Sequence, residues 1–174
     1  MKPYMILCCL LGPLLVGNSS EARIRTPGSS SMQVTTGGAG HFGGVTTGHF
    51  TLGIGTDYTL DPTWAVALDC EVLLGEYRNL NFRASTTYRF TGLISGWSPF
   101  AIAGLATGGR FTDDSAAYLA AALGAGIEYY LHPKWLIGST FVSQIGTTLS
   151  EDTSFISTIQ GTLTMRYQFD LWTN

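Results

Sequence analysis

The sequence predicts an all-β protein: an eight-stranded antiparallel up-and-down barrel that crosses a membrane. Three observations lead there. Apolar residues recur at every second position over most of the chain, which is the period of a strand with two different faces. Only 12% of the 174 residues are charged, about half of the roughly 25% usual for a soluble domain, and Lys2 and Lys134 are the only lysines. The alternating segments number eight, and an even set of antiparallel strands with short connections closes on itself without leaving an edge. The length allows one domain. Its 22 glycines argue against a helical bundle, where each would cost about 1 kcal/mol relative to alanine. A net charge of −3 with no Lys/Arg cluster excludes a nucleic-acid groove.

The elements follow in chain order. Lys2 precedes an apolar stretch from Tyr4 to Gly17, after which Ser20 and Ala22 offer small residues to a signal peptidase. Residues 1–22 therefore read as a secretory signal, the apolar run being shorter than the about 20 residues of a spanning helix. Cys8 and Cys9 would leave with it, so the exported chain keeps only Cys70 and forms no intramolecular disulfide. Residues 23–31 (RIRTPGSSS) read as a flexible leader, and residues 32–174 as the barrel.

The strands are expected near 32–41, 46–60, 64–77, 80–91, 99–111, 116–131, 135–149 and 154–170. The first is Gly-rich and alternates only faintly. The second sets Phe50, Leu52, Ile54 and Tyr58 against His49, Thr51, Gly53 and Asp57. In the third, Trp64, Val66, Leu68 and Val72 oppose Ala65, Ala67, Asp69 and Glu71, and in the fourth Leu80, Phe82 and Tyr88 oppose Asn81, Arg83 and Arg89. The last opposes Leu163, Met165, Tyr167 and Phe169 to Thr162, Thr164, Arg166 and Gln168. Asp61-Pro62-Thr63 and His132-Pro133-Lys134 are tight turns in which proline fixes φ, and Gly92 to Ser98 forms a longer one.

Which face points inward decides the class. The polar faces carry mostly Gly, Ala, Thr and Ser, too sparsely charged for a surface in water. Small residues fit the narrow lumen of an eight-stranded barrel, and bulky apolar ones suit lipid. Tyr58, Trp64, Tyr88, Phe90, Trp97, Phe100, Tyr129, Trp135, Tyr167 and Phe169 fall at strand ends that meet the Pro-containing and Gly92–Ser98 turns. Folded, they are expected to form one aromatic ring at the membrane interface. A looser set, Tyr77, Phe82, Phe111, Tyr118 and Phe155, marks the far edge.

An internal echo recurs at an offset of 71 residues. Leu52-Gly53-x-Gly55-x-Asp57-Tyr58-x-Leu60-x-Pro62-x-Trp64 matches Leu123-Gly124-x-Gly126-x-Glu128-Tyr129-x-Leu131-x-Pro133-x-Trp135, with the acidic residue inside and Tyr and Trp outside. This repeated pattern, the signal sequence and the alternating last strand resemble the small OmpA/OmpX-type outer-membrane β-barrel proteins of Gram-negative bacteria. The resemblance implies residence in the bacterial outer membrane, contact with outer-membrane lipid, and insertion by the barrel-assembly machinery. The chain departs from that pattern in running on past Phe169 through Asp170 to Asn174.

Function has to come from sites. Asp57, Asp69, Glu71 and Glu128 are expected to face Arg83, Arg89 and Arg166 in the lumen, four negative charges against three positive. A hairpin that pairs residues near 70 with residues near 88 would set Asp69 and Glu71 one pleat step from Arg89. Buried charges persist only when paired, so the reading is a plugged lumen in a structural or surface-interaction protein. The alternative is a narrow gated channel whose pairs exchange to pass small ions. An enzyme acting on lipid would need a His/Ser constellation, and only His41 and His49 with Ser115 and Ser150 offer one, with no spacing that ties them together. No catalytic, cofactor or metal site is read, and no nucleic-acid partner. Glu76, Arg78, Asp113, Asp114, Glu151 and Asp152 give the loop edge a mildly acidic rim that a surface partner could meet. The folded protein in detergent should migrate differently unheated and boiled on electrophoresis; a soluble protein without that shift would overturn the barrel.

Overall fold

A computed structural model describes residues 25, 27–42, 47–75, 78–90, 96–110, 117–149 and 154–170. The segment read as a signal lies outside the described residues, as do Tyr77, Phe111, Ser115, Ser150 and every residue of the acidic rim except Arg78. Eight strands form a closed barrel in chain order, every neighbour antiparallel: β1 (Ser29–Phe42), β2 (Thr47–Thr59), β3 (Trp64–Gly75), β4 (Asn79–Arg89), β5 (Trp97–Arg110), β6 (Ala117–His132), β7 (Trp135–Thr148) and β8 (Phe155–Asp170). The first and last strands pair over their whole length, from Ser29↔Asp170 to Phe42↔Ser157. Apart from β4 with 11 residues, the strands run to 12–16 residues and exceed the span of a bilayer, which takes about 9–11 tilted residues.

β1 begins at Ser29, three residues inside the stretch expected to be a leader, and Arg25 ahead of it is buried. Ser29, Ser31 and Gln33 already alternate inward with Met32 and Val34 outward, but serine gives the periodicity no apolar mark. The start of the barrel was hidden for that reason.

The barrel is inverted relative to a soluble one. Ile54, Leu68, Leu105, Leu123 and Leu163 stand exposed on its wall, while Asp57, Asp69, Glu71, Arg83, Arg89 and Glu128 are buried. In water, so continuous an exposed apolar belt would drive association. In lipid, it is the outer surface of a transmembrane barrel. Even the outward threonines are adapted: the hydroxyls of Thr56, Thr86 and Thr107 donate to the carbonyls of Ser31, Ala103 and Tyr118 on neighbouring strands, at 2.9, 3.2 and 2.8 Å. A hydroxyl bonded to its own wall costs little in hydrocarbon.

Inside, the two halves differ. β1 to β4 supply mainly polar and charged side chains, whereas Phe100, Ala106, Ala120, Ala122, Leu136 and Val142 of β5 to β7 form an apolar wall. Close approach fixes glycine at particular points. A Cβ on Gly37 of β1 would collide with the Gly161 carbonyl of β8, at the seam where the barrel closes. Gly37→Val should therefore force the seam apart, at a cost of about 1–3 kcal/mol as in other overpacked sites. The measurement is the urea midpoint of the electrophoretic heat shift.

Candidate functional site

The inward polar side chains come from all parts of the chain and cannot be ranked by sequence position, but their contacts sort them into two groups. The lower group lies at the end where β1 begins and β8 ends. There Arg25 Nη1 bonds Asp57 Oδ1 and Oδ2 at 3.0 and 2.8 Å, and Nη2 bonds Glu128 Oε2 at 3.1 Å. Arg166 Nη1 lies 3.2 Å from Asp57 Oδ2 and also bonds Glu128 Oε1. Arg89 approaches both carboxylates less closely, at 3.6 and 3.8 Å. Ser31 donates its hydroxyl to Asp57 at 2.7 Å. The internal echo acquires a structural meaning here, since its two acidic positions, on β2 and β6, are the two that clamp Arg25.

The upper group is built on the β3–β4 hairpin. Its register sets Asp69 directly opposite Arg83 and Glu71 opposite Asn81. Arg83 donates to Asp69 Oδ2 at 2.9 Å and reaches Glu71 at 3.5 Å. Asn81 Nδ2 donates to Glu71 Oε2 at 2.9 Å and its carbonyl accepts the Tyr118 hydroxyl at 2.8 Å. Gln33 joins the groups: its amide donates to Asp69 and its carbonyl accepts from Arg166 Nε at 3.0 Å.

Two expectations need correcting. Asp69 and Glu71 do not pair with Arg89, because the register sets Trp64 against Tyr88 and carries Arg89 beyond the end of β3, into the lower group. The expected imbalance of four acids against three bases also disappears. Arg25 is the fourth cation, so Arg25, Arg83, Arg89 and Arg166 meet Asp57, Asp69, Glu71 and Glu128.

Of the aromatics expected in one ring, all but one lie on the outward parity of the barrel wall. Tyr58, Trp64, Tyr88, Phe90, Trp135 and Tyr167 are exposed, and Trp97, Tyr129 and Phe169 are half-buried. Neighbouring rings pack on one another, Trp64 on Tyr88 and Trp135 on Tyr167 with centroids 4.9 Å apart, Trp97 on Tyr129 at 4.8 Å. Phe100 is not part of it. It shares the inward parity of Ala106 and fills the space over Gly126, where a Cβ would meet its ring. At the far edge Phe82 and Phe155 face outward, whereas Tyr118 turns inward to Asn81. Asp61 caps the β2–β3 turn by accepting the amides of Trp64 and Thr63 at 2.8 and 2.7 Å, which holds its carboxyl below the usual range.

His41 and His49 meet at the loop end of the lumen, ring centroids 5.2 Å apart. Threonine hydroxyls bond both rings: Thr158 at 2.7 Å from His41 Nδ1, and Thr47 at 2.9 Å from His49 Nε2. Among the described residues, no group of three metal-ligating side chains converges.

No protein-family model and no curated protein matches this chain. Solved structures do. Neisserial surface protein A is similar at a TM-score of 0.72 and 14% identity, covering 82% of this chain and 99% of its own. The fold is that of the small outer-membrane barrels. The N-terminal β-barrel domain of Pseudomonas aeruginosa OprF is similar at a TM-score of 0.63 and 18% identity (83% and 100% covered), and the attachment invasion locus protein Ail of Yersinia pestis at 0.56 and 15% (83% and 100%). An outer-membrane barrel of this kind puts its apolar belt against lipid, as the exposed wall requires.

Arg25, Ser31 and Gln33 belong to the lumen network and were not read from the sequence, while Asn81 was expected only on the polar face and Tyr118 only at the far edge. For Arg25 a signal existed, the unmatched fourth acid. Replacing Arg83 with Met strips Asp69 and Glu71 of their cation, and should cost about 3–5 kcal/mol, the usual penalty for orphaning a buried charge. Urea unfolding followed by the heat shift measures it, and Arg83→Met with Asp69→Asn should recover part of the loss.

Proposed function

We propose that this protein is an outer-membrane barrel with a structural or surface-interaction role and a plugged lumen, non-enzymatic and without a cofactor. Residues 1–22 serve as its export signal in this reading, and the barrel-assembly machinery inserts it. One observation carries the closed lumen. Ser31, Thr51, Glu71, Asn81 and Ala122 all face the interior and are no more than 2% exposed. A water-filled pore wets the side chains that line it, whereas these are buried. With transport set aside, the loop edge is what remains available for interaction. Its charged residues are mostly acidic: Glu76, Asp113, Asp114, Glu151 and Asp152 against Arg78. That balance favours a cationic partner over a polyanion. Folded wild-type protein in a planar bilayer should give no conductance steps; steady ohmic steps would replace this reading with the channel.

A further inference from the structure

The apolar wall is not evenly studded. On the outward face of β4, Thr86 and Ala84 stand between Tyr88 and Phe82, and the register sets Ala84 between Leu68 and Leu105 and Thr86 between Val66 and Ala103. Ala84, Thr86 and Ala103 are short where Val66, Leu68 and Leu105 around them are long, and the result is a furrow along β4. Two depressions of about 510 and 530 Å³ run together there, sharing Thr56, Leu68, Ala84 and Leu105. The floor asks an occupant for no hydrogen bond. Thr56, Thr86 and Thr107 line it, and each donates its hydroxyl to a carbonyl of the wall, which turns the methyl group outward.

The depth and the lower end of the furrow decide the occupant. From Tyr88 to Phe82 is six residues of β4, about 20 Å of strand. At the tilt of about 40° usual for a membrane barrel this is about 15 Å of depth, half of a hydrocarbon core about 30 Å thick. The furrow therefore covers one leaflet. Tyr58 lines its lower depression, and Trp64 and Tyr88 pack on each other beside it with centroids 4.9 Å apart, in the band of Tyr and Trp that meets headgroups.

We propose that the furrow along β4 is a seat for one acyl chain of a membrane phospholipid whose headgroup lies at the Tyr and Trp band. Contact with lipid is common to the whole wall; the seat is the one stretch where a chain is held from below by Ala84 and Thr86 and from the sides by Leu68 and Leu105. More of the chain's surface then meets protein, and dispersion contacts accumulate along it. A second barrel fits less well, because its wall is convex and several strands wide whereas the furrow is about one strand wide. The lipid in the seat exchanges more slowly than its neighbours.

Photolabelling tests this. The folded full-length protein is reconstituted in vesicles of phosphatidylethanolamine and phosphatidylglycerol with a trace of phosphatidylethanolamine that carries a diazirine in one acyl chain. After illumination, label mapped by mass should fall on β3, β4 and β5 at least about threefold more often than on β7 and β8, since a chain touched on three sides gathers more dispersion contacts than one lying on a ridge. The opposite wall, with a depression of about 490 Å³ beside Ile137 and Leu163, serves as the reference. Ala84→Leu, and separately Ala103→Leu, fills the furrow from its floor and should remove the excess while the heat shift persists. Three results would overturn the proposal: even labelling of the two walls, an excess that survives both substitutions, or a disulfide-linked dimer on mild oxidation that Cys70→Ser abolishes. Cys70 lines the furrow, and such a dimer would seat a second copy there. The wild-type ratio judges the seat even where a variant fails to fold. The lumen plays no part in it, so bilayer conductance can overturn the plugged lumen and leave the acyl seat standing.

Discussion

In a barrel of eight strands, side chains from opposite walls touch, and every charge on the inner face must find its counter-ion within the protein. Four arginines and four carboxylates do so here, and the rest of the architecture follows from their company. The lumen can be dry because its charges are mutually neutralised. The wall can be apolar outside because the polar residues have been gathered inside. Glycine and alanine occupy the positions between, where a larger side chain would push the guanidiniums out of reach of their acids. Gly55 shows this directly: a Cβ there would collide with the Asp69 carboxylate and lie 2.8 Å from the Gln33 amide, the contact that joins the two charged groups.

Much of this was legible in the sequence because a strand's period of two is unforgiving. Once Leu68 faces lipid, Asp69 must face the lumen, and the faces of β2, β3, β4 and β8 follow from alternation alone. The misses occur where alternation carries no information. Ser29 and Ser31 are as polar as a loop, so the first strand merged with the segment ahead of it. Register was out of reach for a different reason. The turn between β3 and β4 decides whether Asp69 meets Arg83 or a residue further on, and its geometry depends on backbone torsions that the residues at 76–78 do not specify. Phe100 was assigned by composition, as an aromatic near a strand end, when its parity with Ala106 would have placed it inside.

The comparison structures share the fold at 14 to 18% identity, which shows how little of it resides in particular residues. What such chains must keep is the inside–outside pattern, the closing pair of strands, and an interfacial band of Tyr and Trp that can be wet at one side and greasy at the other. The lumen is where this chain becomes individual. Its arrangement of a doubled acidic motif, clamped on an arginine from outside the strands, uses the internal echo to build a single two-jawed grip from separate hairpins.

The lumen contacts also join residues far apart along the chain: Gln33 to Arg166 across 133 positions, Arg25 to Glu128 across 103. The first spans the β1–β8 seam, and the second joins a residue ahead of β1 to β6. Neither can form while the sheet is still an open ribbon, however well its individual hairpins have paired. The part of the ion network that joins β1, β6 and β8 therefore rewards the finished ring, whereas the Arg83–Asp69 pair belongs to the β3–β4 hairpin alone. That part acts as a check on completeness: until β8 meets β1, Glu128 and Gln33 lack their Arg166 partner, and a partly zipped chain carries charges that oppose its stay in the hydrocarbon.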